Sequence, residues 1–514
     1  MSFAIIRSRG SCGIEAPEVT IETHLSHGLP AFNLVGLAET AVRESKERVR
    51  SAIINAGFEF PLKRITVNLA PADMPKAGTR FDLAIALGIL AASEQIPGET
   101  LDNVECIAEV ALDGSVRPVG KALPAALACA SAQRSILLAA KDAEEARLVE
   151  NLCVKSAANL QTICRQILEH QHLDALDAKP SGSQEYPLQQ RSAKYDLADV
   201  QGQFKARRAL EIAAAGGHHL LMIGPPGTGK TMLANRLLGI LPTMFEDEAF
   251  ESAKIWSVSK HGFDISAWRR RPFRSPHHTS SHVALIGGGT IPSPGEVSLA
   301  HHGILFLDEL PHFQQRTLEV LREPLECAEV VLARAAAVNR FPAKFQLIAA
   351  MNPCPCGNYG DPRGQCICRI DQIDRYLQKI SGPLLDRIDL HVEVPRAAPN
   401  YHRLDTTKNE TSGVVAERVA QARARQLRRQ GTLNQSLSNH SLSETSPLSE
   451  NVLAYLDHAI ERFKLSARSY FKILKVARTI ADLEQNEQID KAHLGEALGF
   501  RCVDKLHREL QRHR

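Results

Sequence analysis

Residues 220–231 read LLMIGPPGTGKT, which is an apolar stretch, a glycine-rich turn and the start of the helix-like segment TMLANRLLGI. Gly224 to Thr231 match the pattern of two glycines separated by four residues and followed by Lys-Thr. Such a turn directs consecutive backbone N–H groups at a helix N-terminus, where they bind phosphates. The stretch therefore predicts the phosphate-binding loop of an α/β nucleotide-binding domain.

The polar residues of this loop have distinct expected roles. Lys230 is expected to reach the β and γ phosphates, and Thr231 to place its hydroxyl on Mg²⁺. The sequence therefore predicts ATP and Mg²⁺ as cofactors. The predicted nucleotide-binding residues of the loop are Gly224, Pro225, Pro226, Gly227, Thr228, Gly229, Lys230 and Thr231.

A second acidic motif completes this chemistry. Residues 303–311, GILFLDELP, form an apolar stretch that ends in Asp308 and Glu309. Asp308 is expected to hold the Mg²⁺, and Glu309 to polarise the attacking water. Two acidic residues after a strand are weak evidence by themselves, but together with the phosphate loop they indicate an ATP-hydrolysing site. Between the two motifs, residues 274–298 are rich in glycine and proline and look like a loop inserted into a helix.

The length and the composition divide the chain into several domains. At 514 residues it is too long for one core, and its periodicity breaks at two polar segments. Alternating strand-like and helix-like stretches predict α/β folds before and between these breaks, with a helical region after them. The predicted parts are an α/β domain at 1–170, a linker at 171–194, an ATPase core at 195–397, a linker at 398–413 and a helical lid at 414–514.

Several classes of protein are excluded or disfavoured by the totals. No apolar run approaches the roughly 18 residues that would span a membrane. The start, MSFAIIRSRGSCG, lacks the pattern of a signal peptide, so a cytoplasmic location is expected. The net charge of +3 is too balanced to indicate nucleic acid by itself, so such a partner requires a local basic patch.

Four of the eleven cysteines lie in one short segment. Residues 353–368, PCPCGNYGDPRGQCIC, contain two C-x-C pairs, Cys354/Cys356 and Cys366/Cys368. Four thiolates satisfy tetrahedral Zn²⁺, so the segment predicts a structural zinc site. Reduced cysteines packed in a loop and a redox or iron–sulfur role remain as alternatives.

The order of motifs resembles that of a known family. A strand-like stretch ends in Asn352, SGPLLDRIDL contains Arg387, and LSARSYF contains Arg468. These three residues follow the phosphate loop and the strand that ends in Asp308 and Glu309. The complete order of motifs resembles that of AAA+ ATPases. The chain also resembles the magnesium-chelatase-like family in the motifs RSPHHT, PGEVSLAHHGILFLDE, NPCPCG and SGPLLDRIDL. This resemblance covers nearly the whole chain, and residues 430–448 are the least similar part.

This resemblance implies further catalytic residues. Asn352 would position the water, and Arg387 would be the arginine finger that acts on the neighbouring subunit's nucleotide. Arg468 would be the second sensor, in the helical lid. Val200 and Gln201 match the segment that lines the adenine. An ordinary salt bridge to a neighbouring aspartate is the alternative for Arg387.

The first domain resembles the catalytic domain of Lon proteases. The resemblance rests on residues 72–90, ADMPKAGTRFDLAIALGIL, and residues 114–126, GSVRPVGKALPAA. It implies a Lon-protease-like α/β fold (S5 domain 2-like). The positions of the family's catalytic serine and lysine hold Lys76 and Leu123, so no peptidase activity is expected.

Two basic segments are candidate DNA contacts. Residues 329–345 read as a hairpin with Arg334 and Arg340 near its tip, and in related ATPases such a hairpin grips DNA in the pore of a ring. A basic helical segment could add further phosphate contacts. A solvated hairpin and a solvated helical face are the alternatives. The candidate residues of the helical segment are Arg423, Arg425, Arg428 and Arg429.

Together the motifs and the resemblance imply a homohexameric, ATP-hydrolysing DNA motor. It would bind single-stranded and branched DNA through the backbone, without sequence preference, and promote branch migration of recombination intermediates during natural transformation. The alternative is a chelatase-type motor that remodels a protein partner.

Overall fold

The structure is a computed structural model that describes residues 2–36, 42, 44–74, 76, 78–170, 173, 195–289, 292–334, 337–396, 409–463 and 465–502. The chain forms two compact units. The first comprises Met1–Tyr186, Phe250–Trp268 and Ala333–Phe341, and the second comprises Pro187–Ala249, Arg269–Leu332 and Pro342–Arg514. Both predicted linkers lie largely outside the described residues, and the domain boundaries remain predictions.

The first unit contains a mixed seven-stranded sheet in the order β3-β4-β2-β1-β5-β8-β9. Its central strands alternate buried and less buried residues, which is the pattern of strands with one face in a core. The seven strands of this sheet are β1 (Phe3–Arg9), β2 (Glu18–Ser26), β3 (Ala31–Val35), β4 (Arg64–Ala70), β5 (Val104–Ile107), β8 (Ser135–Leu138) and β9 (Val154–Ser156). A separate antiparallel pair is formed by β6 (Glu109–Val110) and β7 (Val116–Arg117).

The helices of this unit cover its sheet. Asp82–Ala92 is buried along its whole length, so an apolar helix without a polar face fits here. The helices are α1 (Ser45–Asn55), α2 (Asp82–Ala92), α3 (Ala122–Ser131), α4 (Ala140–Ala146) and α5 (Leu160–His170). The predicted α/β fold of the first domain is confirmed.

The second unit is built on a five-stranded sheet in the order β11-β14-β17-β10-β18, whose neighbouring strands are all parallel. Its central strands are wholly buried, which explains their continuous apolar sequences. The strands from here to the C-terminus are β10 (Leu220–Ile223), β11 (Phe273–Arg274), β12 (Gly287–Gly288), β13 (Ser293–Pro294), β14 (Ile304–Leu307), β15 (Glu329–Arg334), β16 (Ala337–Pro342), β17 (Gln346–Met351) and β18 (Leu390–Glu393).

One hydrophobic core joins this sheet to the C-terminal helices. It includes Met222 of β10, Phe306 of β14 and Ile480 of the long helix at 467–483. Most of α8 lies in the first unit, which includes Phe250–Trp268. The helices from Phe204 to the C-terminus are α6 (Phe204–Gly216), α7 (Lys230–Ile240), α8 (Glu246–Val258), α9 (His282–Ile286), α10 (Glu296–Leu299), α11 (Gln315–Glu319), α12 (Arg322–Cys327), α13 (Ile370–Leu377), α14 (Gly382–Leu385), α15 (Ser412–Gln430), α16 (Asn439–Thr445), α17 (Glu450–Phe463), α18 (Ala467–Leu483) and α19 (Lys491–Leu498).

Two segments have more regular structure than their sequences indicate. The predicted inserted loop contains α9, α10 and the short β12–β13 pair. The polar interruption near 430–448 contains a 3₁₀ turn at Asn434–Ser436 and the helix α16. The helices α9 and α16 are short, and a serine side chain caps the N-terminus of each. They therefore depend on local hydrogen bonds more than on apolar periodicity. Among the described residues, no helix is both long and apolar enough to cross a membrane.

A buried histidine next to β10 makes the stability of the second unit depend on pH. The backbone N–H of Leu347 donates to Nδ1 of His219 at 3.0 Å, which requires that nitrogen to be unprotonated. Burial lowers the pKa of His219 to about 4, and Lys472 also lowers it, whereas Asp389 acts in the opposite direction. The folded state therefore holds this imidazole neutral.

We expect the protein to lose stability as the pH falls from about 6.5 towards 4. In the unfolded chain this histidine binds a proton near its ordinary pKa, whereas in the folded chain it binds one only near pH 4. This one group therefore lowers the free energy of unfolding by up to about 3 kcal/mol at pH 4. Chemical unfolding at pH 7 and pH 4.5 measures the effect. His219→Asn keeps an acceptor near Leu347 and should flatten the slope, whereas the exposed His440→Asn should not change it. Equal slopes in the two variants would contradict the assignment.

Candidate nucleotide-binding site

The predicted catalytic motifs meet because three parallel strands end at the same edge of the sheet. Ile223, the last residue of β10, lies opposite Met351 of β17. Leu307, the last residue of β14, lies opposite Ala349. The residues that follow these strands therefore begin the phosphate loop, the acidic pair and the Asn352 turn at one place.

The phosphate loop closes tightly onto the neighbouring strand ends. A Cβ on Gly224 would lie 2.2 Å from the carbonyl oxygen of Val394, so only glycine fits at this position. At the other end of the loop, Lys230 is the first residue of α7. The first turn of α7 therefore directs unsatisfied N–H groups towards the loop, as phosphate binding requires.

The Lys230 ammonium lies inside this loop. Its Nζ donates to the carbonyl oxygens of Gly224 and Pro225 at 2.7 and 2.9 Å, and to Oδ1 of Asn352 at 3.1 Å. Burial lowers the pKa of Lys230, while Asp308 and Glu309 act to raise it. The lysine predicted to bind phosphates and the asparagine predicted to position the attacking water are thus in direct contact.

The two predicted magnesium ligands are also in contact. The Thr231 hydroxyl donates to Oδ2 of Asp308 at 2.6 Å. Hydroxyl and carboxylate oxygens are ligands that Mg²⁺ accepts, and the ion usually keeps several waters besides. The pair therefore fits the predicted ion, which Thr231 and Asp308 would hold next to the phosphates.

Glu309 is placed differently from Asp308. It has a left-handed backbone conformation, with φ of 52°, and its side chain is 54% exposed. Its Oε2 lies 3.3 Å from Nδ1 of His278, in the segment predicted as an inserted loop. The exposed carboxylate is accessible to a water molecule, and His278 is a neighbour that sequence reasoning did not assign to this site.

A cleft of about 580 Å³ lies beside the phosphate loop. Val200 and Gln201, predicted to line the adenine, form part of its wall together with Met232 of α7. Its volume lies within the usual range for small-ligand sites. The phosphate-loop residues that line the same cleft are Pro226, Gly227, Thr228 and Gly229.

Arg387 and Arg468 share one carboxylate. Glu326 in α12 pairs with Nη2 of Arg387, and its Oε1 lies 3.4 Å from Nη2 of Arg468. Arg387 is largely buried, and Arg468 is 55% exposed. Glu326 pairs with both arginines although it carries no motif, so sequence reasoning missed it. The structure thus brings the two predicted arginines together.

A second ion pair fixes the same two segments. Asp389, two residues after Arg387, accepts a hydrogen bond from Nζ of Lys472 at 2.6 Å. Lys472 lies in α18, one turn after Arg468. Burial acts to raise the pKa of Asp389, but Lys472 and the neighbouring histidines hold it well below its ordinary value. Since breaking a buried ion pair is costly, this pair couples the Arg387 segment to α18.

The four clustered cysteines come together as predicted. Their Sγ atoms all lie within 4.8 Å of one another, and none of the four forms a disulfide. Cys354 lies 3.4 Å from Cys356 and 3.8 Å from Cys366, and Cys356 lies 3.7 Å from Cys366. Four sulfurs around Zn²⁺ at about 2.3 Å are roughly 3.8 Å apart, so the cluster fits tetrahedral zinc.

The predicted DNA contacts are only partly exposed. β15 and β16 pair as the predicted hairpin, with Arg340 exposed in β16. Arg334 ends β15, and its side chain lies outside the described residues. The DNA contact of the hairpin therefore remains a prediction.

The arginines of the basic helix α15 make internal contacts. Arg423 donates to the carbonyl oxygen of Ala214 at 2.8 Å, and Arg425 donates to that of Asp482 at 2.8 Å. Arg429 pairs with the Asp482 carboxylate at 2.6 Å. Of the four, Arg428 is the exposed residue. The first three thus stabilise packing of α15, which leaves Arg428 as the stronger candidate for a phosphate contact.

The residue at the serine position of the Lon-like domain is engaged internally. Lys76 is buried, and its ammonium donates to the carbonyl oxygen of Pro71. Burial lowers the pKa of Lys76. At the predicted position of the base, Leu123 is buried within α3. Lys76 has no hydroxyl to serve as the nucleophile, and Leu123 cannot serve as the base. The absence of peptidase activity therefore remains the expectation.

Family models match most of the chain. Residues 196–401 match a model described as magnesium chelatase, subunit ChlI. Residues 21–142 match subunit ChlI of Mg-chelatase, and residues 409–501 match the C-terminal part of that subunit. Together the three models cover both the α/β regions and the helical C-terminal region.

Similar proteins cover the full length. The chain is 48% identical over 512 residues to protein YifB of Salmonella typhimurium, covering 100% of this chain and 99% of that protein. It is 46% identical over 521 residues to competence protein ComM of Haemophilus influenzae, covering 99% of each. A weaker similarity, 26% over 194 residues, links 33% of the chain to 35% of Lon protease 2 of Bacillus subtilis.

Proposed function

The chain belongs to the magnesium-chelatase-like AAA+ family, in the group that includes YifB and ComM, and on that premise we propose that it is an ATP-hydrolysing motor acting on DNA. The observation that carries the ATPase assignment is the meeting of Lys230, Thr231, Asp308 and Asn352 at one sheet edge. Bound Mg²⁺–ATP would supply the phosphoanhydride whose hydrolysis drives the motor.

The proposed division of labour follows from the positions of these side chains. Lys230 and the phosphate loop bind the phosphates, and Thr231 and Asp308 hold the metal ion. Glu309 accepts the proton of the attacking water, and its exposed side chain is accessible for this role. Asn352 orients the water or the γ phosphate while in reach of Lys230.

We propose that catalysis is shared between subunits of a homohexamer. Arg387 and Arg468 are held together by Glu326, whereas Asn352 is held by Lys230. An arginine finger stabilises charge that develops on a nucleotide bound by the neighbouring subunit. Because Arg387 and Arg468 share one carboxylate, the proposal extends to Arg468: both arginines act on the same neighbouring nucleotide.

The DNA substrate is the part of the proposal that depends most on relatives. ComM of Haemophilus influenzae is a competence protein, and this name supports a role with DNA for the present chain. Arg340 is exposed in the β15–β16 hairpin and offers a phosphate contact. We therefore propose single-stranded and branched DNA as substrates, bound without sequence preference, and branch migration of recombination intermediates as the activity.

The test is ATP-dependent processing of a synthetic four-stranded DNA junction by the purified chain. Strand exchange by the wild type, and none by Lys230→Ala, would establish a branch-migration motor. Arg340→Ala should weaken DNA binding and leave basal ATPase unchanged, whereas Arg375→Ala, in α13, serves as the matched exposed control. Active ATP hydrolysis without movement of any branched DNA would exclude the DNA assignment.

A chelatase-type motor that remodels a protein partner is the second candidate. It is favoured by the descriptions of the three matching family models, each of which names a magnesium chelatase subunit. In the same assay it predicts ATP hydrolysis that no DNA stimulates. The junction experiment therefore separates the two candidates.

We propose in addition that Cys354, Cys356, Cys366 and Cys368 hold one structural zinc ion. The sulfur positions fit a closed four-thiolate site, in which no coordination position remains for catalysis. A bound ion would give a polar segment a fixed shape without a hydrophobic core.

The purified protein should contain about one zinc ion per chain, because a closed four-thiolate site binds a single ion. Elemental analysis measures this content. Replacing Cys356 and Cys366 together by serine should reduce it to near zero, whereas the exposed Cys327→Ser should leave it unchanged. A zinc content far below one per chain, with full ATPase activity, would rule out the structural role.

A further inference from the structure

The segment that contains the four cysteines, residues 353–368 and here called the cysteine loop, contacts the phosphate loop directly. A Cβ on Gly357 would lie 2.5 Å from Cδ of Pro226. Pro226 also lines the cleft beside the phosphate loop. Gly357 lies between Cys356 and Cys366, so the contact involves the part of the cysteine loop enclosed by the proposed zinc ligands.

The cysteine loop is also tied to the strand on the other side of the phosphate loop. Arg396, just after β18, pairs with Asp361 at 2.9 Å and donates to Oδ1 of Asn358 at 3.1 Å. The Asp361 carboxylate is 3% exposed. A buried carboxylate with an arginine partner fixes the geometry more firmly than an exposed pair.

These contacts place an arginine of the cysteine loop at the nucleotide cleft. Arg363 lines the cleft together with Val200 and Gln201, which are predicted to lie against the adenine. Arg396 lines it as well. The cleft wall thus combines the phosphate loop, the adenine segment and two arginines, one of which is on the cysteine loop.

We propose that the cysteine loop is a wall of the nucleotide pocket and that Arg363 is a nucleotide-binding residue of the same subunit. A guanidinium offers five N–H donors and a flat face, so it binds ribose and phosphate oxygens and stacks on a purine. A nucleoside di- or triphosphate presents all of these groups. The fold of the cysteine loop thereby sets nucleotide affinity. The inference rests on the proposed ATP site and not on DNA binding.

The test is the dissociation constant of a fluorescent ADP analogue, measured on the full chain without DNA. Arg363→Ala should weaken binding about tenfold, because a hydrogen bond to a charged group is lost. Arg363→Lys should recover part of the affinity, whereas Arg375→Ala should bind as the wild type does. An Arg363→Ala variant within twofold of the wild type overturns the proposal. Failure of the wild type to bind would instead overturn the ATP site itself.

Alanine substitutions at two glycines of the cysteine loop give an independent test that this loop forms a wall of the nucleotide pocket. Gly357 and Gly360 have φ of 82° and 76°, so alanine strains the backbone similarly at both positions. Only at Gly357 does the added methyl group meet Pro226, since nothing lies within 4 Å of a Cβ on Gly360. Gly357→Ala should therefore bind the analogue several-fold more weakly than Gly360→Ala. Equal affinities overturn the contact.

Discussion

Alanine at Lys230 should abolish ATP hydrolysis, with a loss of roughly 10³-fold or more in kcat/KM. The lysine is the charged group in the phosphate loop, and its Nζ already lies within 3.1 Å of three oxygen acceptors, one of them on Asn352. Its removal takes away both the charge that binds the β and γ phosphates and the contact with the predicted sensor. A steady-state phosphate-release assay, with nucleotide binding measured in parallel, gives the result.

The variant should fold, because Lys230 donates to neutral carbonyl and amide oxygens, and losing such a hydrogen bond costs less than breaking a buried ion pair. Thermal unfolding without nucleotide should therefore stay close to that of the wild type. Lys379→Ala provides the matched control, since Lys379 is exposed and lies outside the cleft. A Lys230→Ala protein that keeps a tenth of wild-type turnover would contradict the assigned role of this lysine.

The sequence predicts that these side chains lie together, because they are close along the chain or lie at strand ends. The phosphate loop is contiguous, and its conformation follows from its glycines. Asp308 and Asn352 each follow an apolar strand, and parallel strands bring their carboxyl ends to one edge. The sequence therefore allows the proximity of Asp308 to Thr231, and of Asn352 to Lys230, to be predicted.

The partners of the long side chains are less predictable. Glu326 lies in a short helix without a motif, far along the chain from both arginines that it pairs with. Periodicity does not reveal such a pair, because it depends on tertiary packing. The basic run in α15 shows the converse: Arg429 is paired with Asp482, whose segment follows more than fifty residues later. A cluster of charges in sequence need not be a charged surface in the fold.

The cysteine loop illustrates a third case. Four cysteines in the pattern C-x-C…C-x-C indicate a metal site from sequence, and the sulfur distances fit that prediction. The contact between Gly357 and Pro226 has no sequence signal. It arises because the loop leaves β17 beside β10, the strand that leads into the phosphate loop. Strand order, not local sequence, makes the cysteine loop a neighbour of the nucleotide.

Alanine at Arg387 should lower ATP turnover by about 10³-fold while nucleotide affinity changes little. An arginine finger acts mainly on charge that develops in the transition state, so its loss affects kcat more than binding. Arg322→Ala is a suitable control, because Arg322 lies in α12 beside Glu326 and forms a surface pair with Glu319. Turnover and the dissociation constant of an ATP analogue together separate the two effects.

A mixing experiment then decides whether Arg387 acts between subunits. Lys230→Ala subunits retain Arg387, and Arg387→Ala subunits retain the phosphate loop, so each kind lacks one half of a shared site. If the arginine acts on the neighbour's nucleotide, mixing the two inactive proteins restores intact sites wherever an intact phosphate loop faces an intact finger. Activity in the mixture should rise well above that of either protein alone. If the mixture stays inactive although the subunits exchange, Arg387 acts within its own subunit, and its pairing with Glu326 is then part of a local structural contact.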